Sequence, residues 1–191
     1  MKVPSRKWKT KKSKLILNTK HFKVRKDLVE LPTGKLTEWI YWDSLDSTMV
    51  VAITKDRKLV MIKQYRYLVG DEVIEFPAGG LHKDEDSTTG AKREFEEETG
   101  YKAKSLIKLG SFYETYGSLN RRIQIFFSPD IIKTKQNQDK GKKGFEDIKT
   151  VLINFEEAIS LVLRNKIVAM GSSLAILLLQ EKVKKREIII P

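Results

Sequence analysis

Residues 77–101 read Pro77-Ala78-Gly79-Gly80-Leu81-His82-Lys83-Asp84-Glu85-Asp86-Ser87-Thr88-Thr89-Gly90-Ala91-Lys92-Arg93-Glu94-Phe95-Glu96-Glu97-Glu98-Thr99-Gly100-Tyr101. Asp86 or Ser87 can cap a helix and Gly100 can end one, so the spacing predicts a helix over residues 87–99. On that helix Glu94, Glu97 and Glu98 stand at i, i+3 and i+4, and three carboxylates project from one face. Ala91 and Phe95 supply the opposite, core-facing side. Like charges at this spacing repel, so the cluster calls for cations, and divalent ions that take oxygen ligands suit it. Arg93, four residues before Glu97, lies within ion-pair reach of it, and Glu85 faces the helix start. The Gly79-Gly80 pair permits positive backbone torsions, which would fold the loop tightly against the helix and aim a carbonyl at a metal.

Outward from this stretch, short apolar runs alternate with turn residues. Before it come Phe22–Arg25, Leu28–Leu31, a Pro32-Thr33-Gly34 turn and Glu38–Trp42, which read as a small antiparallel layer. Met49–Thr54 and Leu59–Tyr65 read as a hairpin about a polar turn, and Val73–Phe76 as a strand ended by Pro77. After it, strands are expected over about 104–114 and 121–128 and a long polar loop over about 131–145. Two amphipathic helices are expected over 155–165 and 172–185, the second with an apolar face from Leu174, Ile176, Leu177, Leu178 and Val183. Strands, helix, strands, then helices argue for an α+β arrangement rather than repeated βαβ units. The chain divides into a flexible basic arm (1–14), an N-terminal β layer (15–48) and the main domain (49–191).

Composition bounds the chemistry. With 191 residues, 40% hydrophobic and 32% charged, the chain suits one well-filled core and is neither fibrous nor wholly disordered. The sequence has no cysteine, which excludes disulfides, thiolate zinc and thiol nucleophiles. Its two histidines, His21 and His82, are far apart, so a metal here should take oxygen ligands, as Mg²⁺ or Mn²⁺ does. No run approaches the roughly 20 apolar residues of a membrane span, and Leu15-Ile16-Leu17 is too short for a signal peptide, so a cytoplasmic protein with no membrane partner is expected. The net charge of +12 is concentrated in Lys2, Arg6, Lys7, Lys9, Lys11, Lys12 and Lys14 and again between Lys133 and Lys143. Such runs can attract nucleic acid or a phosphorylated substrate. Solvated surface is the commoner reading, and a nucleic-acid partner for the arm is not favoured.

A glutamate-rich helix face alone would also be read as solvated surface. The fixed spacing of Gly79, Glu85, Arg93-Glu94, Glu97-Glu98 and Gly100, with apolar Phe95 and Tyr101, overturns that reading, because it resembles the signature box of the Nudix hydrolase superfamily. Lys63-Gln64-Tyr65-Arg66, Glu75-Phe76-Pro77-Ala78-Gly79 and Glu146 ahead of Ile148 resemble the ADP-ribose pyrophosphatase branch. The resemblance implies a Nudix α/β/α sandwich with a mixed β-sheet, and an N-terminal antiparallel β layer that exchanges between protomers of a homodimer. It implies that Glu94 and Glu98 ligate Mg²⁺ or Mn²⁺ through their side chains and Ala78 through its carbonyl, with Glu97 a ligand or water-orienting group. Arg93 and Glu85 would support that platform, Arg66 would contact phosphate, and Glu75, Gly79 and Gly80 would complete the substrate cradle. Tyr116 stands where the branch has proline; it would stack on a base or ribose, or simply pack. Glu146 is favoured over Glu97 as the general base, because a loop carboxylate can close over substrate. The implied reaction is hydrolysis of the pyrophosphate bond of a nucleoside diphosphate derivative, ADP-ribose or a nucleotide sugar, to AMP and a sugar phosphate. The alternatives are a dinucleotide such as NADH, a capped RNA end reached through the basic arm, or a non-catalytic nucleotide- or nucleic-acid-binding module.

Overall fold

A computed structural model describes residues 7–20, 22–134 and 147–191. Their contacts fall into two compact units, one reaching to Leu45 and taking in Tyr113–Arg122, the other made of Asp46–Phe112 and Ile123–Pro191.

The first unit carries a three-stranded antiparallel sheet of β1 (Lys9–Asn18), β2 (Lys23–Glu30) and β3 (Leu36–Trp42), in that order. Strand β1 corrects the expectation of a flexible arm to residue 14, for pairing begins at Lys9 opposite Glu30. Lysines hid this strand in the sequence. They are tolerated because β1 is an edge, where charge is a common guard against further pairing, and because Lys11 pairs with Glu30 at 2.6 Å while Ser13 donates to Asp27. The turn between β2 and β3 is the one expected, with Gly34 at φ 82°. The Gly34 N–H donates to the Leu31 carbonyl at 2.8 Å. The layer is discontinuous in sequence: the Trp42 N–H donates to the Ser118 carbonyl at 2.8 Å, and Asn120 donates to Asp43 at 2.7 Å. Trp42 is stacked by Phe22, and the Arg121 guanidinium lies 5.3 Å from the Trp42 ring centre.

The second unit is built on a seven-stranded mixed sheet. Its path runs β12 (Lys149–Asn154), β5 (Lys58–Arg66), β4 (Ser47–Ile53), β10 (Arg122–Ser128) and β9 (Ile107–Tyr113), with β6 (Asp71–Glu75) added to β5 and β7 (Ala78–Gly80) to β4. β4 and β10 run parallel, whereas β5 is antiparallel to β4, β6 and β12. Successive side chains of a strand point to opposite faces, and β4 is buried on both. Met49, Val51 and Ile53 join a core with Phe155 and Ala158 of α2 (Phe155–Leu163) and Ala175, Ile176 and Leu179 of α3 (Met170–Lys184). Val50 and Ala52 join a second core with Ala91 and Phe95 of α1 (Ser87–Thr99). One helix on one face and two on the other make the expected sandwich of helix, sheet and helix.

Two local expectations change. The buried positions of α3 include Ala175, Ile176 and Leu179, while Leu177 is exposed; the buried face takes in the small Ala175, which the stripe of large apolar residues does not mark. The loop expected from 131 opens with a short strand, β11 (Ile131–Lys133), paired with β8 (Tyr101–Ala103). No helix among the described residues is long and apolar enough to cross a membrane.

Candidate active site

The capped helix α1 forms as the sequence predicts. The Asp86 side chain accepts from the backbone N–H groups of Thr88 at 2.9 Å and Thr89 at 3.1 Å, satisfying donors the helix itself leaves free. Gly100 ends the helix in the left-handed region, φ 69°. Between those ends Ala91 and Phe95 are fully buried and tie α1 to β4. That anchoring also overturns the expectation that the carboxylates stand opposite the core-facing side: residues three and four apart share a helix face, so Glu94 and Glu98 turn inward beside Ala91 and Phe95 and are only 7% and 6% exposed.

Burying carboxylates costs free energy unless something answers their charge. Arg93 supplies most of the answer. Its Nε and Nη2 donate to the two oxygens of Glu85 at 2.9 and 3.0 Å, and its Nη1 donates to Glu94 Oε1 at 2.5 Å. Nη2 also reaches the Gly80 carbonyl at 3.3 Å, and Glu97 lies 3.5 Å from Nη1. The expected Arg93–Glu97 pair is thus the outlying contact of a guanidinium whose main partners are Glu85 and Glu94. The Glu85 carboxyl, bonded by Arg93 and by the His82 N–H, is held down to about 2, and the Arg93 pKa is raised chiefly by Glu85. Glu98 Oε2 accepts from the Ala78 N–H at 3.2 Å, which fixes the strand carrying the candidate carbonyl ligand to the carboxylate helix.

The torsional freedom expected of Gly79 and Gly80 is not used. Both lie in β7, and neither has a positive φ. What Gly79 provides is space, since a Cβ built there would overlap the Glu94 carboxylate.

The arrangement fits a divalent cation with oxygen ligands. Glu94 Oε2 is buried with no hydrogen-bond partner among the described residues, so half of a buried carboxylate is left for a positive charge. Glu98 stands one turn further along, Glu97 is at the partly exposed rim, and all the donors are oxygens. Among the described residues no three acidic or histidine groups are already gathered as a ligand set. Arg93 occupies Glu94 Oε1 here, so ion binding would redistribute this pairing.

A second part of the unit carries Arg66 and Glu75, at the ends of β5 and β6. Arg66 Nε donates to Glu75 Oε1 at 2.7 Å, and the buried Gln64 donates its amide to the same oxygen at 3.0 Å. The Nη groups of Arg66 are left without a partner among the described residues. Arg66 borders a cavity of about 440 Å³ also walled by Tyr67, Leu68, Val69 and Val168. The sequence carries one signal for the part Gln64 plays, its place two residues before Arg66, which puts both side chains on one strand face. Ser172, which accepts from the Phe76 N–H at 2.9 Å, carried no sequence signal. Tyr116 is exposed and belongs to the first unit. Glu146 lies outside the described residues.

A buried carboxylate helix, capped at both ends and packed on a mixed sheet, defines the class. A family model described as the NUDIX domain matches residues 44–170, and the chain belongs to the Nudix family and is a Nudix hydrolase. It is 32% identical over 154 residues to an ADP-ribose pyrophosphatase of Bacillus subtilis, covering 81% of this chain and 82% of that one. It is also 31% identical over 180 residues to a methanol dehydrogenase activator of Bacillus methanolicus, covering 93% and 96%. Among solved structures, one titled as an ADP compounds hydrolase superposes with a TM-score of 0.80 at 18% identity, over 94% of this chain and 96% of the other, a likeness of fold.

Proposed function

We propose that this chain hydrolyses the pyrophosphate bond of a nucleoside diphosphate sugar, ADP-ribose foremost, to AMP and ribose 5-phosphate, with Mg²⁺ or Mn²⁺ as cofactor. The observation that carries the reading is the buried pair Glu94 and Glu98, in which Glu94 Oε2 has no hydrogen-bond partner among the described residues. The activity named for the Bacillus subtilis relative supports the choice of substrate. Glu94 and Glu98 would hold the cation, with Glu97 and the Ala78 carbonyl beside them. When bound, such an ion neutralises phosphoryl charge and makes water more acidic.

The remaining work falls to this chain's own groups. Arg93 and Glu85 keep the helix and the Gly80 carbonyl in fixed relation, so the carboxylates do not spring apart. The Nη edge of Arg66, which has no hydrogen-bond partner among the described residues while Glu75 takes the Nε edge, would present a planar fork to a phosphoryl oxygen. Water displaces one phosphoryl group from the other, and a carboxylate takes the water's proton. Glu146 is assigned that role, with Glu97 the alternative. Charge in the transition state sits on phosphoryl oxygens, so positioning and electrostatics suffice, and a chain without cysteine loses nothing.

The first unit is assigned to pairing with a second copy. Ile16, Leu17, Leu36, Trp39 and Ile40 are each more than 40% exposed there, more apolar surface than a lone sheet usually leaves to water. Sedimentation analysis returning a monomer at micromolar concentration would end that assignment.

The activity is tested with ADP-ribose, GDP-mannose, NADH and a capped RNA, each with Mg²⁺ and with Mn²⁺, and products separated by chromatography. AMP and ribose 5-phosphate should form from ADP-ribose, turnover should stop with EDTA, and Glu98→Gln should abolish it. Full turnover by Glu98→Gln, or faster cleavage of another member of the panel, would overturn the reading.

A further inference from the structure

Three buried side-chain oxygens of the described residues lack a hydrogen-bond partner: Glu94 Oε2, Thr48 Oγ1 and Ser47 Oγ. The first belongs to the carboxylate helix, and the other two sit side by side at the start of β4. Leaving such a group unpaired in a folded protein is costly, so each calls for an explanation.

Strand register supplies one for Thr48. Thr48 is directly opposite Gly79 in the β4–β7 ladder, and Ser47 is opposite Gly80. Paired residues share a sheet face with Cβ positions about 4.5–5.5 Å apart. The Cβ position of Gly79 is the one that would overlap the Glu94 carboxylate, so Thr48 lies on the same face, next to that carboxylate. Alternation along β4 agrees: Thr48 shares its face with Val50 and Ala52, which pack on Ala91 and Phe95 of the helix bearing Glu94. Ser47 shares its face with Met49 and Val51, which pack toward the other two helices. Thr48 is 1% exposed, which excludes bulk water as its partner.

The two orphaned groups are complementary. A carboxylate oxygen only accepts, whereas a hydroxyl donates and accepts. They hold no direct hydrogen bond here, and one enclosed water between them would satisfy both, since buried polar groups left unpaired are the usual sites of such waters. We infer that Thr48 is a positioning residue for Glu94: its hydroxyl, through one enclosed water, holds Glu94 Oε2 in the orientation from which that carboxylate takes the cation. Before the ion binds, Arg93 holds one oxygen of Glu94 and Thr48 the other, and Gly79 leaves room for the carboxylate between them. The inference rests on the assignment of Glu94 as a cation ligand.

Thr48→Val removes the hydroxyl at nearly constant shape, and Thr48→Ser keeps it. Ser47→Ala is the control for removing an unpaired hydroxyl on the opposite face. Mn²⁺ affinity is read by electron paramagnetic resonance on the full chain, alongside the melting temperature without metal and the kcat for ADP-ribose. Thr48→Val should weaken Mn²⁺ binding about ten-fold and lower kcat, Thr48→Ser should restore both to within about two-fold, and Ser47→Ala should change neither. Should valine crowd the strand, Thr48→Ala carries the same comparison. Unchanged Mn²⁺ affinity with an equal or higher melting temperature in Thr48→Val would show an idle hydroxyl and overturn the inference. Wild-type protein that binds Mn²⁺ but leaves ADP-ribose intact would refute the substrate assignment alone, and the Mn²⁺ comparison would still decide the role of Thr48.

Discussion

Gly79 has no room for a side chain because the Glu94 carboxylate occupies the space where its Cβ would be. Gly79→Ala must therefore displace either strand β7 or the carboxylate. A misplacement of about 1 Å at reacting groups can lower a rate about a hundred-fold. We expect turnover to fall by about that factor while far-ultraviolet circular dichroism stays that of the wild type, since the backbone at Gly79 suits any residue. A variant of normal activity would mean that Glu94 can hold its role from another position.

Glu94 Oε2 is buried and unpaired, so a cation that binds it should stabilise the folded chain. Ligand present at a hundred times its dissociation constant contributes about 2.7 kcal/mol. Mg²⁺ should accordingly raise the melting temperature of the wild type by several degrees, and EDTA should reverse the rise. In Glu94→Gln the rise should disappear. An equal rise in both proteins would place the ion elsewhere.

The Glu85 carboxyl, usually near 4.5, is held down to about 2 by Arg93. Because its folded pKa is the lower one, its contribution to stability is fully present above about pH 4.5 and is lost as pH falls toward about 2. Glu85→Gln should therefore melt lower than the wild type at neutral pH, and the two curves of melting temperature against pH should converge below about pH 3. Parallel curves through that window would show that the Arg93–Glu85 pair adds no stability.

Asp86 holds the first turn of the carboxylate helix through Thr88 and Thr89. Removing such a cap costs about 1 kcal/mol. Asp86→Ala should lower stability to chemical denaturant by that amount, whereas Asp86→Asn or Asp86→Ser should recover most of it. Turnover per folded molecule should change little, because the cap lies more than a turn from Glu94.

Much of this arrangement was legible in the residues alone. The carboxylate helix was bounded to the residue, because a cap and a terminating glycine act locally; Ala91 and Phe95 face inward as expected, but Glu94 and Glu98, expected on the opposite side, are buried beside them. The identities of the glutamates and the lack of cysteine already restricted the metal chemistry to oxygen ligands. The sequence misled where a residue's reason is its neighbour rather than its own backbone. Glycine at 79 suggested torsional freedom but serves clearance. Lysines between 9 and 14 suggested a solvated arm but line a paired edge strand.

What the chain determined by itself is therefore local: the limits of the carboxylate helix, turn positions, the central strands and the chemical type of the ligands. Only the tertiary structure decided which distant residues meet. It set Thr48 opposite Gly79, gave Arg93 to Glu85 and Glu94 rather than mainly to Glu97, and joined Gln64, Arg66 and Glu75 at one oxygen. The reason is physical: helix and turn signals arise from interactions within a few residues, whereas strand register and buried ion pairing are settled by packing between segments far apart in sequence.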